Sequence, residues 1–178
     1  MAAVVPVSLR SVATSSPEHT ILQEDAAAAA EHLFGDRYAD FARLKNVFRT
    51  AGINKRQMAR PIEWYLEARN WPDRSEAYLD CANELFLQAA QDALAKARLS
   101  ASQIDTIVTV SSTGIATPGL EARALNVMPF RSNVRRVPVF GLGCAGGTSG
   151  LGLASRLEFN ANSLARVLDK TGREILVG

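Results

Sequence analysis

The chain has 178 residues, 47% of them apolar and 21% charged, which is enough to bury one compact core and too apolar for disorder. Its net charge of +2, from 20 basic and 18 acidic residues, lacks the excess needed to neutralise many phosphates, so nucleic acid is not an expected partner. Cys81 and Cys144 are the only cysteines, too few and too far apart for a disulfide framework or a structural zinc site, and a reducing, cytoplasmic setting is expected. The longest weakly charged stretch, 137–155, is broken by Pro138 and six glycines from Gly141 to Gly152. It cannot be a uniform spanning helix, and the first twenty residues lack the apolar run of a signal peptide.

In chain order, residues 4–13 are β-branched and apolar, then break at Ser15, Ser16 and Pro17, the pattern of a strand running into a loop. Thr20 with Gln23 forms a capping-box signature ahead of the alanine-rich run 25–34, and Gly35 stands at the C′ position of that helix. Tyr38, Phe41, Leu44 and Phe48 recur at helical spacing as far as Gly52. The pattern is lost between Ile53 and Trp71, where the residues are basic and aromatic. Residues 75–99 make the longest expected helix, with Tyr78, Ala82, Leu85, Phe86, Ala89, Ala93 and Ala97 on one stripe and Cys81 within the core face. Residues 104–110 read as a strand, 111–119 as a polar loop, 136–142 as a second buried strand, 143–147 as a sharp bend and 148–157 as a small-residue helix. A short helix at 163–170, a turn at 170–173 and a strand at 174–177 complete the chain. Strands alternating with helices imply an α/β domain with a largely parallel, covered sheet.

The chemistry concentrates in residues 139–151, VFGLGCAGGTSGL, which put Cys144 where a strand gives way to a helix. A thiolate is the nucleophilic form of cysteine, and the N-H groups and positive dipole end of a helix favour it. Flanking glycines permit a tight bend and close approach of a ligand to the backbone. A free cysteine is also a common core residue, so position alone leaves both roles open. Gly141, Gly143 and Gly146 additionally spell G-x-G-x-x-G, the dinucleotide-binding fingerprint. That motif calls for an acidic residue about twenty positions on, at the end of the next strand, whereas Glu174 precedes the last expected strand.

The segment GLGCAGGTSGLGLASRL resembles the active-site segment of type III polyketide synthases, the chalcone and stilbene synthase-like enzymes. Further matches occur in the same order: VATSSPEHTI resembles the family's first strand and its exit, FRTAGINKRQMARPIEWY its basic segment near the coenzyme A entrance in bacterial members, and SSTGIATPG its cavity-lining loop. The resemblance implies the amino-terminal half of a thiolase-like fold in residues 1–157, with 158–178 as a divergent tail and the chain truncated. It also implies that Cys144 accepts a starter acyl group, that Ser112, Thr113, Gly146 and Gly147 line the substrate site, and that Thr117 reaches the neighbouring subunit's cavity. Lys55 and Arg56 would contact coenzyme A through its phosphates. No metal or resident cofactor is implied, since acyl-CoA and malonyl-CoA are substrates, and the expected assembly is a homodimer or an association with a complementary half.

The family uses its cysteine with a histidine and an asparagine from the second half of the fold. His19 and His32, the only histidines, fall in no matching motif and read as surface residues, His19 in the loop after the first strand. The leading expectation is therefore an acyltransferase whose chain alone is inactive or only self-acylating. The alternatives are a non-catalytic interaction subunit and a fatty-acid-type 3-oxoacyl synthase III, whose cysteine segment usually lacks the double glycine seen at Gly146 and Gly147.

Overall fold

The computed structural model describes residues 7–159; the elements expected at 163–177 and the tail from 160 lie outside them. Residues 16–77 form one compact unit, and residues 7–15 with 78–159 form another.

In the first unit, β1 (His19–Leu22) pairs antiparallel with β2 (Lys55–Met58), with Thr20 opposite Gln57 and Leu22 opposite Lys55. Helices α1 (Gln23–Phe34), α2 (Phe41–Thr50) and α3 (Ile62–Leu66) complete it. The capping box does not form. Leu22 is the N-cap of α1 with no side-chain cap bond, because both partners are otherwise engaged. Thr20 sits in β1, where its Oγ1 accepts from Gln57 Nε2 at 3.1 Å. Buried Gln23 donates its backbone N-H to Asn54 O at 2.9 Å and its side-chain Nε2 to Phe48 O at 2.9 Å, and accepts from Arg56 Nε at 2.8 Å. A polar side chain this buried is tolerated because each of its groups is satisfied.

Gly35 is not a left-handed cap either: its φ of −54° is right-handed. It is small because a Cβ there would lie 2.6 Å from Glu31 O. Gly52 fits the expectation, with φ +67° immediately after the C-cap of α2. The patternless stretch after Ile53 contains β2 and α3, elements too short to display a period. His19 belongs to β1 rather than to a loop.

Helix α4 (Trp71–Ala97) starts a turn earlier than its apolar stripe. Asn70 Oδ1 accepts the Asp73 N-H at 2.9 Å, and Pro72 occupies the first turn, where no N-H is needed. The helix ends with Arg98 at φ 55° and a Leu99 N-H to Leu94 O bond of 3.0 Å, a Schellman closure. From Tyr78 onward α4 belongs to the second unit, and its stripe supplies that unit's core. Ala82, Phe86, Ala90, Ala93 and Leu94 cluster with Ile104, Ile107, Leu120, Ala124, Met128 and Val134. Phe86 and Ile107 are at most 2% exposed.

Strand β3 (Thr106–Ser111) pairs parallel with β4 (Arg135–Phe140) through a crossover containing α5 (Leu120–Ala124), and α6 (Gly146–Phe159) follows β4. Two expectations change here. Residues 7–13 form no strand; Ser11 Oγ donates to Ala93 O at 2.8 Å and Lys96 Nζ to Val12 O at 3.1 Å, so this segment is tied to α4 instead of to a ladder. β4 is not buried, since exposed and half-buried residues alternate from Arg136 to Phe140. Among the described residues it pairs only with β3, and an edge strand with one covered face alternates in this way.

Candidate active site

The parallel register brings two chain segments to one strand end. Ser111 is aligned with Phe140, so the loop leaving β3 and the bend leaving β4 begin side by side. A backbone bond from Gly141 N-H to Ser111 O, 3.0 Å, joins them. Ligands of parallel α/β sheets bind at this carboxyl end of the strands.

Cys144 is exposed and lies in a 3-10 turn, Gly143–Ala145, that runs directly into α6. Backbone geometry makes this placement possible. Gly141 and Gly143 adopt φ of +84° and +53°, conformations that side-chain-bearing residues rarely take, and a Cβ on either would meet nothing within 4 Å. Gly146 is glycine for a different reason. It is buried, and a Cβ there would lie 2.8 Å from Val110 Cγ1, so its bare Cα lets α6 pack onto β3. The third glycine of the G-x-G-x-x-G string thus serves helix-to-strand packing. Gly147 follows, partly buried, in the first turn of α6.

Across the strand end, Ser112 is half-buried, while Thr113 and Thr117 are exposed on the loop between β3 and α5. The structure therefore brings Cys144, Ser112, Thr113, Thr117, Gly146 and Gly147 into one unit, on the two connections that leave the same sheet end. Lys55 and Arg56 belong to the other unit. Both are exposed on β2, where neighbouring residues project to opposite faces. Arg56 is already bonded to Gln23, while Lys55 aligns with Leu22 at the strand edge.

The loop rests on polar groups that the sequence does not advertise. Ser111 Oγ donates to Gly114 O at 2.7 Å and lies 2.8 Å from the Tyr78 hydroxyl. The single serine proton is spent on Gly114, so Tyr78 is the donor to Ser111. The Tyr78 ring lies flat against Gly114, where a Cβ would come within 2.4 Å of it. At the far end of the loop, Glu121 is only 5% exposed and accepts from Thr109 Oγ1 at 3.1 Å. Its carboxylate also packs against Gly119, where a Cβ would meet it at 2.5 Å. Burial pushes the Tyr78 phenol above its ordinary pKa, and the Glu121 carboxylate adds in the same sense.

His19 and His32 line an open cleft of about 660 Å³ in the first unit, with Asp25, Arg60 and Glu63. Among the described residues, no group of three His, Cys, Asp or Glu side chains is placed to hold a metal ion, and no helix is long and apolar enough to cross a membrane.

The FAE1/Type III polyketide synthase-like protein family matches residues 14–172, and the chain belongs to that family. It is 39% identical over 145 residues to a 1,3,6,8-tetrahydroxynaphthalene synthase of Streptomyces peucetius subsp. caesius, a match covering 82% of this chain and 38% of that enzyme. A phloroglucinol synthase of Pseudomonas fluorescens is 27% identical over 139 residues, covering 78% of this chain and 40% of that one. Among solved structures, the 1,3,6,8-tetrahydroxynaphthalene synthase of Streptomyces coelicolor A3(2), a bacterial type III polyketide synthase, superposes with a TM-score of 0.75 at 32% identity. That superposition covers 82% of this chain and 42% of the other. The chain thus has a thiolase-like fold and spans about two fifths of the length of the relatives it matches. Membership of the polyketide synthase family also removes the dinucleotide reading of the glycine string.

Proposed function

We propose that Cys144 accepts an acyl group from an acyl-CoA, the loading step of polyketide synthesis, with malonyl-CoA as the extender in the whole reaction. The observation that carries this reading is the exposure of Cys144 in the turn before α6, beside the loop of Ser112, Thr113 and Thr117. In the loading step the Cys144 sulfur attacks the thioester carbonyl, and the carbonyl oxygen takes negative charge in the tetrahedral intermediate. The carbon-sulfur bond to coenzyme A then breaks, and its thiolate leaves and takes up a proton.

Ser112, Thr113 and Gly147 contribute to the wall against which the acyl chain lies. Gly146 keeps α6 close to β3, and Thr117 extends toward a second subunit of a homodimer. Lys55 serves as a cation for the phosphates of coenzyme A, and Arg56 is the second candidate, at the cost of its bond to Gln23. An exposed, nucleophilic cysteine suits a reducing cytoplasm. Decarboxylating malonyl-CoA and condensing the resulting carbanion with the acyl-cysteine calls for a histidine and an asparagine, by the family resemblance. His19 and His32 sit on β1 and α1, in the unit that does not hold Cys144, and take no part in this scheme.

Intact mass after incubation with a medium-chain acyl-CoA tests the proposal. The expected result is one acyl adduct that disappears in Cys144→Ala. A folded protein that gains no adduct would favour the second reading, a non-catalytic interaction subunit. That reading draws on the exposure of Ile115, Phe140 and Leu142 near the same strand end.

A further inference from the structure

We propose that Tyr78 and Ser111 are positioning residues for the acyl-transfer site: together they hold the loop 112–118 against the bend that carries Cys144. This inference deepens the acylation reading and rests on it. Ser111 is bonded to both segments. Its carbonyl accepts the Gly141 N-H at the start of the cysteine bend, and its hydroxyl donates to Gly114 O within the loop. That hydroxyl has one proton and has given it to Gly114, so it stays oriented only if another donor faces it. Tyr78 is that donor, brought from α4 at 2.8 Å. The phenol remains protonated, and so remains a donor, throughout the ordinary pH range because burial opposes its ionisation.

The ring makes a second contact in the same place. Gly114 lies on it so closely that any side chain at that position would overlap the ring carbons, at 2.4 Å. Tyr78 therefore fixes the loop both by a hydrogen-bond relay and by shape. The neighbouring residues Ser112 and Thr113 take their positions relative to Cys144 from this anchor. At the other end of the loop the Thr109–Glu121 bond and the packing of Glu121 on Gly119 close the frame.

The test uses the full chain with Tyr78→Phe, Ser111→Ala and the double variant. Tyr78→Phe keeps the ring and removes only the donor, so the fold is retained. Three rates are compared: Cys144 acylation by a medium-chain acyl-CoA, Cys144 alkylation by iodoacetamide read on its peptide, and amide deuterium exchange in 112–118 against 141–147. The expected result is acylation slowed by roughly tenfold or more, in keeping with the cost of small misplacements at a reacting centre. Alkylation, which needs no loop, is expected to stay within twofold, roughly the scatter of a group not acting on the thiol itself. Exchange rises in 112–118 only, and the double variant is no slower than the worse single one, since both residues act through one relay. Unchanged acylation and exchange in Tyr78→Phe would overturn the inference. So would alkylation and acylation falling together with the melting temperature, the mark of a purely structural role. If the wild-type chain takes no acyl group, the acylation reading fails by itself, and the exchange of 112–118 still decides whether the anchor exists.

Discussion

The two segments that meet at the end of the parallel strands are held in opposite ways. The loop after β3 is fixed by side chains, through Tyr78, Ser111, Thr109 and Glu121. The bend after β4 is fixed by the absence of side chains, through the positive φ of Gly141 and Gly143 and the close packing of Gly146. In the proposed acylation Cys144 has to be open to its substrate, so the segment that presents it cannot also be enclosed by its own neighbours, and backbone geometry does the holding. The facing loop bears no nucleophile and can be supported from the core. One strand end thus combines a loop that tolerates little change beneath it with a turn that tolerates little change within it.

Gly146 offers the largest way to break this arrangement. Gly146→Ala puts a methyl group 2.8 Å from Val110 Cγ1, and Val110 is buried and β-branched, so it cannot swing aside. Overpacking of this kind costs about 2 kcal/mol, or roughly 4–8 °C in melting temperature for a chain of this size. The cause is checked by Gly146→Ala with Val110→Ala: the pair should be more stable than the sum of the two single changes, because the clash has two owners. Strict additivity would place the strain elsewhere.

Gly141→Ala and Gly143→Ala sharpen the comparison at smaller amplitude. Nothing lies within 4 Å of either added Cβ, so the cost is conformational, about 1 kcal/mol each, and no change in a neighbour relieves it. Asn at either position is expected to be milder than Ala, because it visits the left-handed region more readily. Thermal melts of the four variants give the order directly, and equal losses for Ala and Asn would show that backbone conformation is not what the glycines supply.

The sequence carries the strongly periodic and the strongly punctuated parts of this molecule. The stripe of α4, the apolar run of β3 and the glycines around Cys144 are each legible because one physical cause dominates: burial for the first two, backbone freedom for the third. What escapes are features that depend on a distant partner. Residues 7–13 have strand composition and no ladder to join. Thr20 and Gln23 have capping chemistry, but Gln57, Asn54, Phe48 and Arg56 claim their groups. Strand β4 reads as buried from Val137 and Val139 alone, and its pairing on a single edge exposes the residues between them.

The polar frame under the loop is the clearest case. Tyr78 counts as one more apolar position of a helical stripe, and Glu121 lies between the loop 111–119 and the strand 136–142, where the sequence suggests no element. Nothing local says that the first meets Ser111 and the second is 5% exposed. The available signal was weak: a tyrosine on a stripe whose other side chains carry no polar atom, where a buried hydroxyl needs a partner. The roles of Cys144, Ser112 and Thr113 came from likeness to a family, and the structure adds where they stand relative to one another along the strand end.

The smallest expected effect concerns the pH range in which the side-chain half of the comparison holds. The Tyr78 phenol has a folded-state pKa above its unfolded value of 10.0, chiefly because it is buried. A group raised in this way contributes stability that is fully present below the unfolded pKa and is lost as pH rises through the folded one. Melting temperature measured from neutral pH to above pH 10.0 should therefore decline at the alkaline end, with less decline in Tyr78→Phe than in the wild type. Every other group is common to the two proteins and cancels in the difference. If the two alkaline limbs coincide, ionisation of Tyr78 is not coupled to folding, and its hydroxyl contributes to the loop alone. If they diverge while Gly141→Ala leaves the wild-type limb unchanged, the two segments are held by separable means, as the contrast between side-chain and backbone anchoring requires.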